Sequence, residues 1–173
     1  MDKLRIELDR IDDQATRELA KVMTRLLCPP DHWFWQATAS SSGQHHPPEC
    51  RGVGGLVRHT RLASAWLEQL LLVYPKANAD AARLAVLWHD CRKYEHKDSM
   101  PVHGQLGCDA IFEVMGRFEL TLGLAVVVEI AANAVRTHMG VWSSTPVSVD
   151  DMTPTQRVVH LADYCASRDI NLD

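Results

Sequence analysis

The sequence lacks the features that would place it in a membrane, secreted or repetitive class. None of its apolar runs reaches membrane-spanning length, and the mixed-charge start Met1-Asp2-Lys3-Leu4 is unlike a signal peptide. The sequence has no excess of basic residues, and its formal net charge is −4. This charge argues against a broad nucleic-acid-binding surface. No internal repeat or low-complexity tract is evident. We therefore expect a cytoplasmic protein with no membrane partner.

Cysteines are few and lack the usual spacing of disulfide or zinc sites. The five cysteines are dispersed, odd in number and never in C-x-x-C spacing, which indicates a reducing compartment and argues against a zinc knuckle. Apolar residues make up 46% and charged residues 23% of the 173 residues, so the chain suits one globular domain with a single core. We predict one domain over residues 1–173.

Hydrophobic periodicity predicts an all-α fold, a single helical bundle. Apolar residues at three- and four-residue steps predict a packing helix over residues 1–28, which ends before Pro29-Pro30 and could carry a homo-oligomer contact. Residues 54–168 are predicted to form the helical core. Its expected helices run from Gly54 to Tyr74, from a cap at Asn78 or Asp80 to His89, from Pro101 to Met115, from 121 to 138, and from the capping box at Thr153 to Arg168.

Between these two parts, residues 29–53 are predicted to form a loop over a pocket. A loop of this length is often functional. In one interpretation its aromatic residues only cover an edge of the core. In the other, Trp33 or Trp35 stacks on a substrate ring, and Ser42 or His45 contacts polar substrate atoms. His45 and His46 are weaker metal candidates, because a loop holds ligands less rigidly than a helix.

The residues that indicate chemistry are His89 and Asp90, which end an apolar helix. Imidazole and carboxylate together bind divalent metals such as Zn, Fe, Mn and Ni, and burying either without a partner is costly. Similar candidates lie on the inward faces or ends of other helices, and His103 is preferred to His96 because it adjoins a helix. The candidate ligands are His59, His89, Asp90, His103, His138 and Asp163. They exceed the needs of one tetrahedral zinc, which favours two cations bridged by Asp90.

The ordered motifs resemble the HD superfamily of metal-dependent phosphohydrolases, in the variant with two further histidines before the final aspartate. His89-Asp90-Cys91-Arg92-Lys93 matches its H-D-x-x-K motif, and Gly54 to Thr60 is similar to the opening motif of YhaM-type 3′→5′ exoribonucleases. The segments that begin at His103, His138 and Ala162 are similar to those of YqeK-type dinucleoside tetraphosphatases. Uncharacterised bacterial and phage HD proteins are also similar.

The resemblance implies a metal-dependent phosphohydrolase that acts through a metal-bound hydroxide. A nucleotide or dinucleoside polyphosphate is the expected substrate, because one compact domain with a local pocket suffices to bind it. One ion would be held by His59, His89, Asp90 and Asp163, and a second by Asp90, His103 and His138. The ions would be divalent transition metals (Fe, Mn, Ni, Co or Zn), with Mg also compatible. The catalytic residues would be Asp90 and Lys93, and Lys93 and Arg168 would bind the phosphate of the substrate. The loop itself, and not the resemblance, adds Ser42, His45 and Trp35 as predicted substrate-binding residues. Alternative functions are a 3′→5′ exonuclease-like phosphodiesterase on single-stranded nucleic acid and a non-catalytic nucleotide-binding module.

Overall fold

The computed structural model describes residues 2–40, 46–96 and 98–168, and this part of the chain is helical without a strand. Its α-helices are α1 (Arg5–Asp9), α2 (Gln14–Leu27), α3 (Gly55–Val73), α4 (Ala79–Trp88), α5 (His103–Met115), α6 (Leu122–Thr137) and α7 (Pro154–Ala166). Short 3₁₀ turns lie in several of the connections. The predicted all-α fold is confirmed. Among the described helices, none combines the length and apolarity required to cross a membrane.

The N-terminal segment differs from its prediction, because the single helix expected over residues 1–28 is broken. Asp13 caps α2 by accepting a hydrogen bond from the Thr16 backbone N–H at 2.7 Å. The Asp80 carboxylate accepts from the backbone N–H groups of Asp12 and Asp13, both at 3.0 Å. These side chains satisfy donors that a continuous helix would use internally. The periodicity was misleading because apolar residues on both sides of the break are buried in the same core.

The start of α4 settles a choice that the sequence left open. The Asn78 side chain accepts from the Ala81 backbone N–H at 3.0 Å, so Asn78 is the cap. Asp80 instead holds the α1–α2 connection and lies 3.1 Å from the Arg83 guanidinium. The predicted capping box of α7 is present, with Thr153 and Gln156 satisfying each other's backbone donors.

Close helix packing brings the metal candidates together. α3 packs on α7, α5 on α6, and α4 against both α6 and α7. The inner face of α6 is built from small and β-branched residues, and Ala131, Ala132 and Val135 are fully buried. At the α5–α6 crossing, a Cβ on Gly104 would lie only 2.9 Å from the Arg136 carbonyl oxygen. Glycine therefore permits the close approach of the start of α5 to the end of α6.

Candidate metal centre

The site lies where several helix ends converge on Asp90, in the turn after α4. His89 and His138 directly follow α4 and α6, His103 is the first residue of α5, and His59 lies in the second turn of α3. Helix ends allow this convergence because each side chain can point past the last turn into the space between helices. All five side chains are buried, with 0–2% of each residue exposed. The structure thus brings His103 into this group, whereas His96 is exposed.

The two carboxylate oxygens of Asp90 are directed at different pairs of histidines. Oδ2 lies 3.9 Å from Nε2 of His59 and 3.4 Å from Nε2 of His89. Oδ1 lies 3.0 Å from Nε2 of His103 and 3.8 Å from Nε2 of His138. Each pair with Asp90 forms a group of donor atoms that could hold one cation. A carboxylate shared in this way is suited to bridge two ions.

The spacing within each pair fits shared ligation of a cation. The two Nε2 atoms are 3.2 Å apart in the His59–His89 pair and 3.1 Å apart in the His103–His138 pair. Two imidazoles on one tetrahedral zinc, with bonds of about 2.0–2.1 Å, have nitrogens about 3.3 Å apart. Oδ1 of Asp163, on α7, is 2.9 Å from Nε2 of His59 and joins this pair. The donor set therefore fits divalent transition metals.

Backbone carbonyls orient three of the four histidines. The accepting carbonyls lie three residues earlier, and the Nδ1–O distances are 2.8 Å for His89, 2.6 Å for His103 and 2.6 Å for His138. Because a carbonyl oxygen can only accept, each Nδ1 carries a hydrogen and Nε2 faces the site. His59 differs, since its buried Nδ1 has no hydrogen-bond partner among the described residues.

Asp90, Asp163 and His138 are held in the protonation states that metal ligands require. Burial opposes ionisation of Asp90, but Lys93, whose Nζ is 2.8 Å from Oδ2, and His89 hold its pKa well below the usual range. Burial also opposes ionisation of Asp163, yet the hydrogen bond from His59 lowers its pKa. Burial and the neighbouring His103 lower the pKa of His138 to about 3. Two ionised carboxylates and a neutral His138 thus meet at neutral pH.

The cluster forms one wall of a cavity of about 350 Å³. Asp90, Lys93 and Asp163 reach this wall, as does Arg168 at the C-terminal end of the α7 segment. The Arg168 Nε is buried and has no hydrogen-bond partner in the described part of the chain. The described lining consists of His46, Asp90, Lys93, Met100, His103, His138, Met139, Trp142, His160, Asp163, Tyr164, Ser167 and Arg168. Two cationic side chains and four of the six metal-ligand candidates therefore face one partly open cavity.

Comparison with known families agrees with this arrangement. The family model of the HD domain matches residues 56–168, a span that contains all six candidate ligands. The chain belongs to the HD domain family. HD domains bind divalent metals and are generally metal-dependent phosphohydrolases. No curated protein and no solved structure matches the chain. The finer resemblance to the YhaM and YqeK types stays a prediction.

Of the other residues predicted to bind substrate, only Trp35 lies within the described part of the chain. Trp35 is 7% exposed, and its indole N–H donates to the backbone carbonyls of Cys28 and Pro29. It therefore packs in the core, away from the described wall of the cavity. Ser42 and His45 lie outside the described residues. His46 lines the cavity, and its ring makes an edge contact with His59 at a centroid distance of 4.8 Å.

The residues of the cavity wall that were not predicted include Trp142, His160 and Tyr164. Two of them lie on α7, whose cavity face carries residues at positions i, i+3, i+4, i+7 and i+8 from His160. The sequence contains this stripe, but its members are mixed polar and aromatic and resemble a solvated helix face. Trp142 lies in a 3₁₀ turn, where no periodicity marks it.

Proposed function

We propose that the protein is a metal-dependent phosphohydrolase that cleaves a phosphoester or phosphoanhydride bond of a nucleotide or dinucleoside polyphosphate. The observation that carries the proposal is the position of Asp90, whose two oxygens are directed at separate histidine pairs. A structural metal needs one closed set of ligands, whereas a bridging carboxylate suits a site with two ions beside an open space.

We assign the ligands of the two ions from the same distances. His59, His89 and Asp163 would hold one ion together with Asp90, and His103 and His138 would hold the other with the same carboxylate. Two divalent ions would lower the pKa of a coordinated water and neutralise phosphate oxygens. The hydrogen bonds from Nδ1 to the backbone would keep the imidazoles of His89, His103 and His138 oriented.

Two cationic side chains would support phosphate binding, one through Asp90 and one directly. Burial works against protonation of Lys93, but Asp90 outweighs it and raises the pKa of Lys93, so the side chain stays charged at neutral pH. Its ammonium group is 2.8 Å from Oδ2 of Asp90 and would hold that carboxylate in its bridging position. Arg168 lies at the cavity wall with an Nε that has no hydrogen-bond partner in the described part of the chain, and a guanidinium group binds phosphate oxygens in a bidentate manner.

The size of the cavity supports a small substrate. At about 350 Å³ it lies within the range of about 300–1,000 Å³ that is usual for small-molecule sites. The formal net charge of −4 also disfavours a long polyanion, whose affinity depends on the number of phosphates that the protein neutralises. These features favour a nucleotide over single-stranded nucleic acid.

The test is purification without chelator, followed by metal analysis and a hydrolysis screen of nucleotides, dinucleoside polyphosphates and single-stranded oligonucleotides. We expect about two equivalents of metal and turnover of a nucleotide substrate. Asp90→Asn should lose metal and lower activity more than about 100-fold while its helical circular dichroism is retained. Asp109→Asn is the matched control, because it removes one exposed carboxylate from α5 outside the described cavity wall.

Several outcomes would contradict the proposal. Full activity of Asp90→Asn would show that the bridging carboxylate is dispensable. Nucleotide binding without turnover would indicate a non-catalytic module. Hydrolysis of oligonucleotides alone would indicate an exonuclease-like phosphodiesterase.

A further inference from the structure

Trp142 exposes a large aromatic surface at the cavity wall. It is 56% exposed, although its ring lies against two residues of α7. The ring is nearly parallel to that of Tyr164, with an interplanar angle of 8° and a centroid distance of 5.9 Å. It is also stacked with the ring of His160, at 27° and 6.1 Å. Exposed aromatic rings of this kind offer a surface for stacking with a ligand.

The position of Trp142 is linked to the metal centre through His160. The Nδ1 of His160 donates to the backbone carbonyl of His138 at 2.6 Å. Gly140 adopts a φ of 59°, and a Cβ at this position would lie only 2.8 Å from Cε1 of His160. The 3₁₀ turn Gly140–Trp142 can therefore lie directly against the His160 ring. Both neighbours of the indole belong to the same helix as Asp163, so its distance from the metal ligands is set by the fold.

The cavity wall changes from aromatic to cationic along α7 and the residues that follow it. Arg168 places its guanidinium carbon 4.3 Å from the centroid of the Tyr164 ring, which in turn stacks with Trp142. An aromatic surface is thus continuous with a cation whose Nε has no partner in the described part of the chain. A ligand that matches this order has a flat ring next to an anionic group. A sugar phosphate has only a saturated, non-planar ring and inorganic phosphate has none, so neither offers an aromatic face to the indole.

We propose that Trp142 stacks on the nucleobase of the substrate and makes the site selective for nucleobase-bearing phosphates over sugar phosphates. This inference rests on the proposed function, since it assigns the base-binding part of the same site. Every base has a π face, so stacking selects for the presence of a base and tolerates changes of base. Loss of one stacking platform weakens binding by about 10-fold to 100-fold.

The experiment compares adenosine 5′-monophosphate with ribose 5-phosphate on metal-loaded protein. Binding is measured by calorimetry, and hydrolysis by phosphate release from both compounds and from the best nucleotide found in the screen. Trp142→Ala should weaken binding of the nucleotide and raise its KM by about 10-fold to 100-fold, while ribose 5-phosphate is bound and hydrolysed as before. Trp142→Phe, which keeps a ring, should recover most of the nucleotide affinity. Val141→Ala is the matched control, since Val141 is 57% exposed in the same turn but outside the described cavity wall.

The outcomes separate this inference from the proposed function. Equal nucleotide affinity in Trp142→Ala and the unchanged protein would overturn the stacking assignment, even if hydrolysis is intact. An equal loss for nucleotide and ribose 5-phosphate would also overturn it, because the effect would then be general damage to the site. Selective loss of nucleotide binding in a protein that hydrolyses nothing would support the stacking role and contradict the hydrolase.

Discussion

Gly104→Ala tests whether the close approach of α5 and α6 builds half of the candidate site. An alanine Cβ at this position would lie 2.9 Å from the Arg136 carbonyl oxygen and 3.0 Å from that of Val135, whereas ordinary contact begins at 3.4 Å. Both obstacles are backbone atoms, which cannot rotate away. The start of α5 must therefore move outward by about 0.5 Å to restore normal contact. His103, the preceding residue and the first of α5, would move with it.

Two opposing effects set the change in the free energy of unfolding of Gly104→Ala. Overpacking of a tight contact costs about 1–3 kcal/mol. Against this, alanine gains up to about 1 kcal/mol over glycine through its helix propensity. Gly123→Ala isolates this second effect, because Gly123 lies in α6 and its Cβ would meet nothing within 4 Å. Relative to that control, Gly104→Ala should lower the Tm by between about 2 and 12 °C, from about 2–4 °C per kcal/mol for a chain of this size.

Thermal unfolding and metal analysis of the two variants provide the assay. The Nε2 atoms of His103 and His138 are 3.1 Å apart in the unchanged protein and should separate in Gly104→Ala. If the protein holds two ions as proposed, its metal content should then fall from two equivalents toward one. The His59–His89 pair, supported by α3 and α4, should be unaffected. The reasoning would be refuted if Gly104→Ala were as stable as Gly123→Ala and retained the same metal content.

Two further predictions concern protonation and an ion-pair network. Burial opposes protonation of His89, but Asp90 outweighs it and raises the pKa of His89 to about 9 in the metal-free protein. Below pH 9 His89 is protonated, and a metal ion must displace that proton to bind. Metal binding at pH 7 should therefore release protons, and the affinity for the metal should increase as the pH rises toward 9. Calorimetric titrations in two buffers of different ionisation enthalpy measure this release, and identical heats would contradict it. Arg83 is 13% exposed and contacts Asp12, Glu68 and Asp80, so Arg83→Ala should lower the free energy of unfolding by about 1–3 kcal/mol. Arg5→Ala breaks the Arg5–Asp9 pair, whose side chains are 79% and 52% exposed. It should change the free energy of unfolding, measured in urea, by less than about 0.5 kcal/mol. Equal losses in the two variants would show that burial of Arg83 adds nothing to stability.

The helices of residues 54–168 could be predicted well because their signals are local. Gly54, Asn78 and Thr153 mark helix starts through backbone conformation or side-chain capping, which depend on only a few neighbouring residues. The break after α1 could not be predicted in this way. It depends on Asp80, which is far along the chain and accepts from Asp12 and Asp13 only after the fold has formed.

Prediction of the cavity wall was weaker for a related reason. Trp35 and Trp142 are both tryptophans in irregular segments, and the sequence does not distinguish them. In the structure the indole N–H of Trp35 is satisfied by buried carbonyls, whereas Trp142 lies on two rings of α7 and remains exposed to the cavity. Burial and ring orientation are properties of packing, and periodicity carries no information on them outside regular helices.

The sequence by itself determined the helical class, the family motifs and the identity of the metal-ligand candidates, because residue type and local spacing define these features. Only the tertiary structure decided how the ligands divide. Asp90 directs one oxygen at His59 and His89 and the other at His103 and His138, an arrangement that requires four helices to meet. The physical reason is that a side chain's partners depend on helix packing, which is set by distant contacts such as the approach of Gly104 to α6.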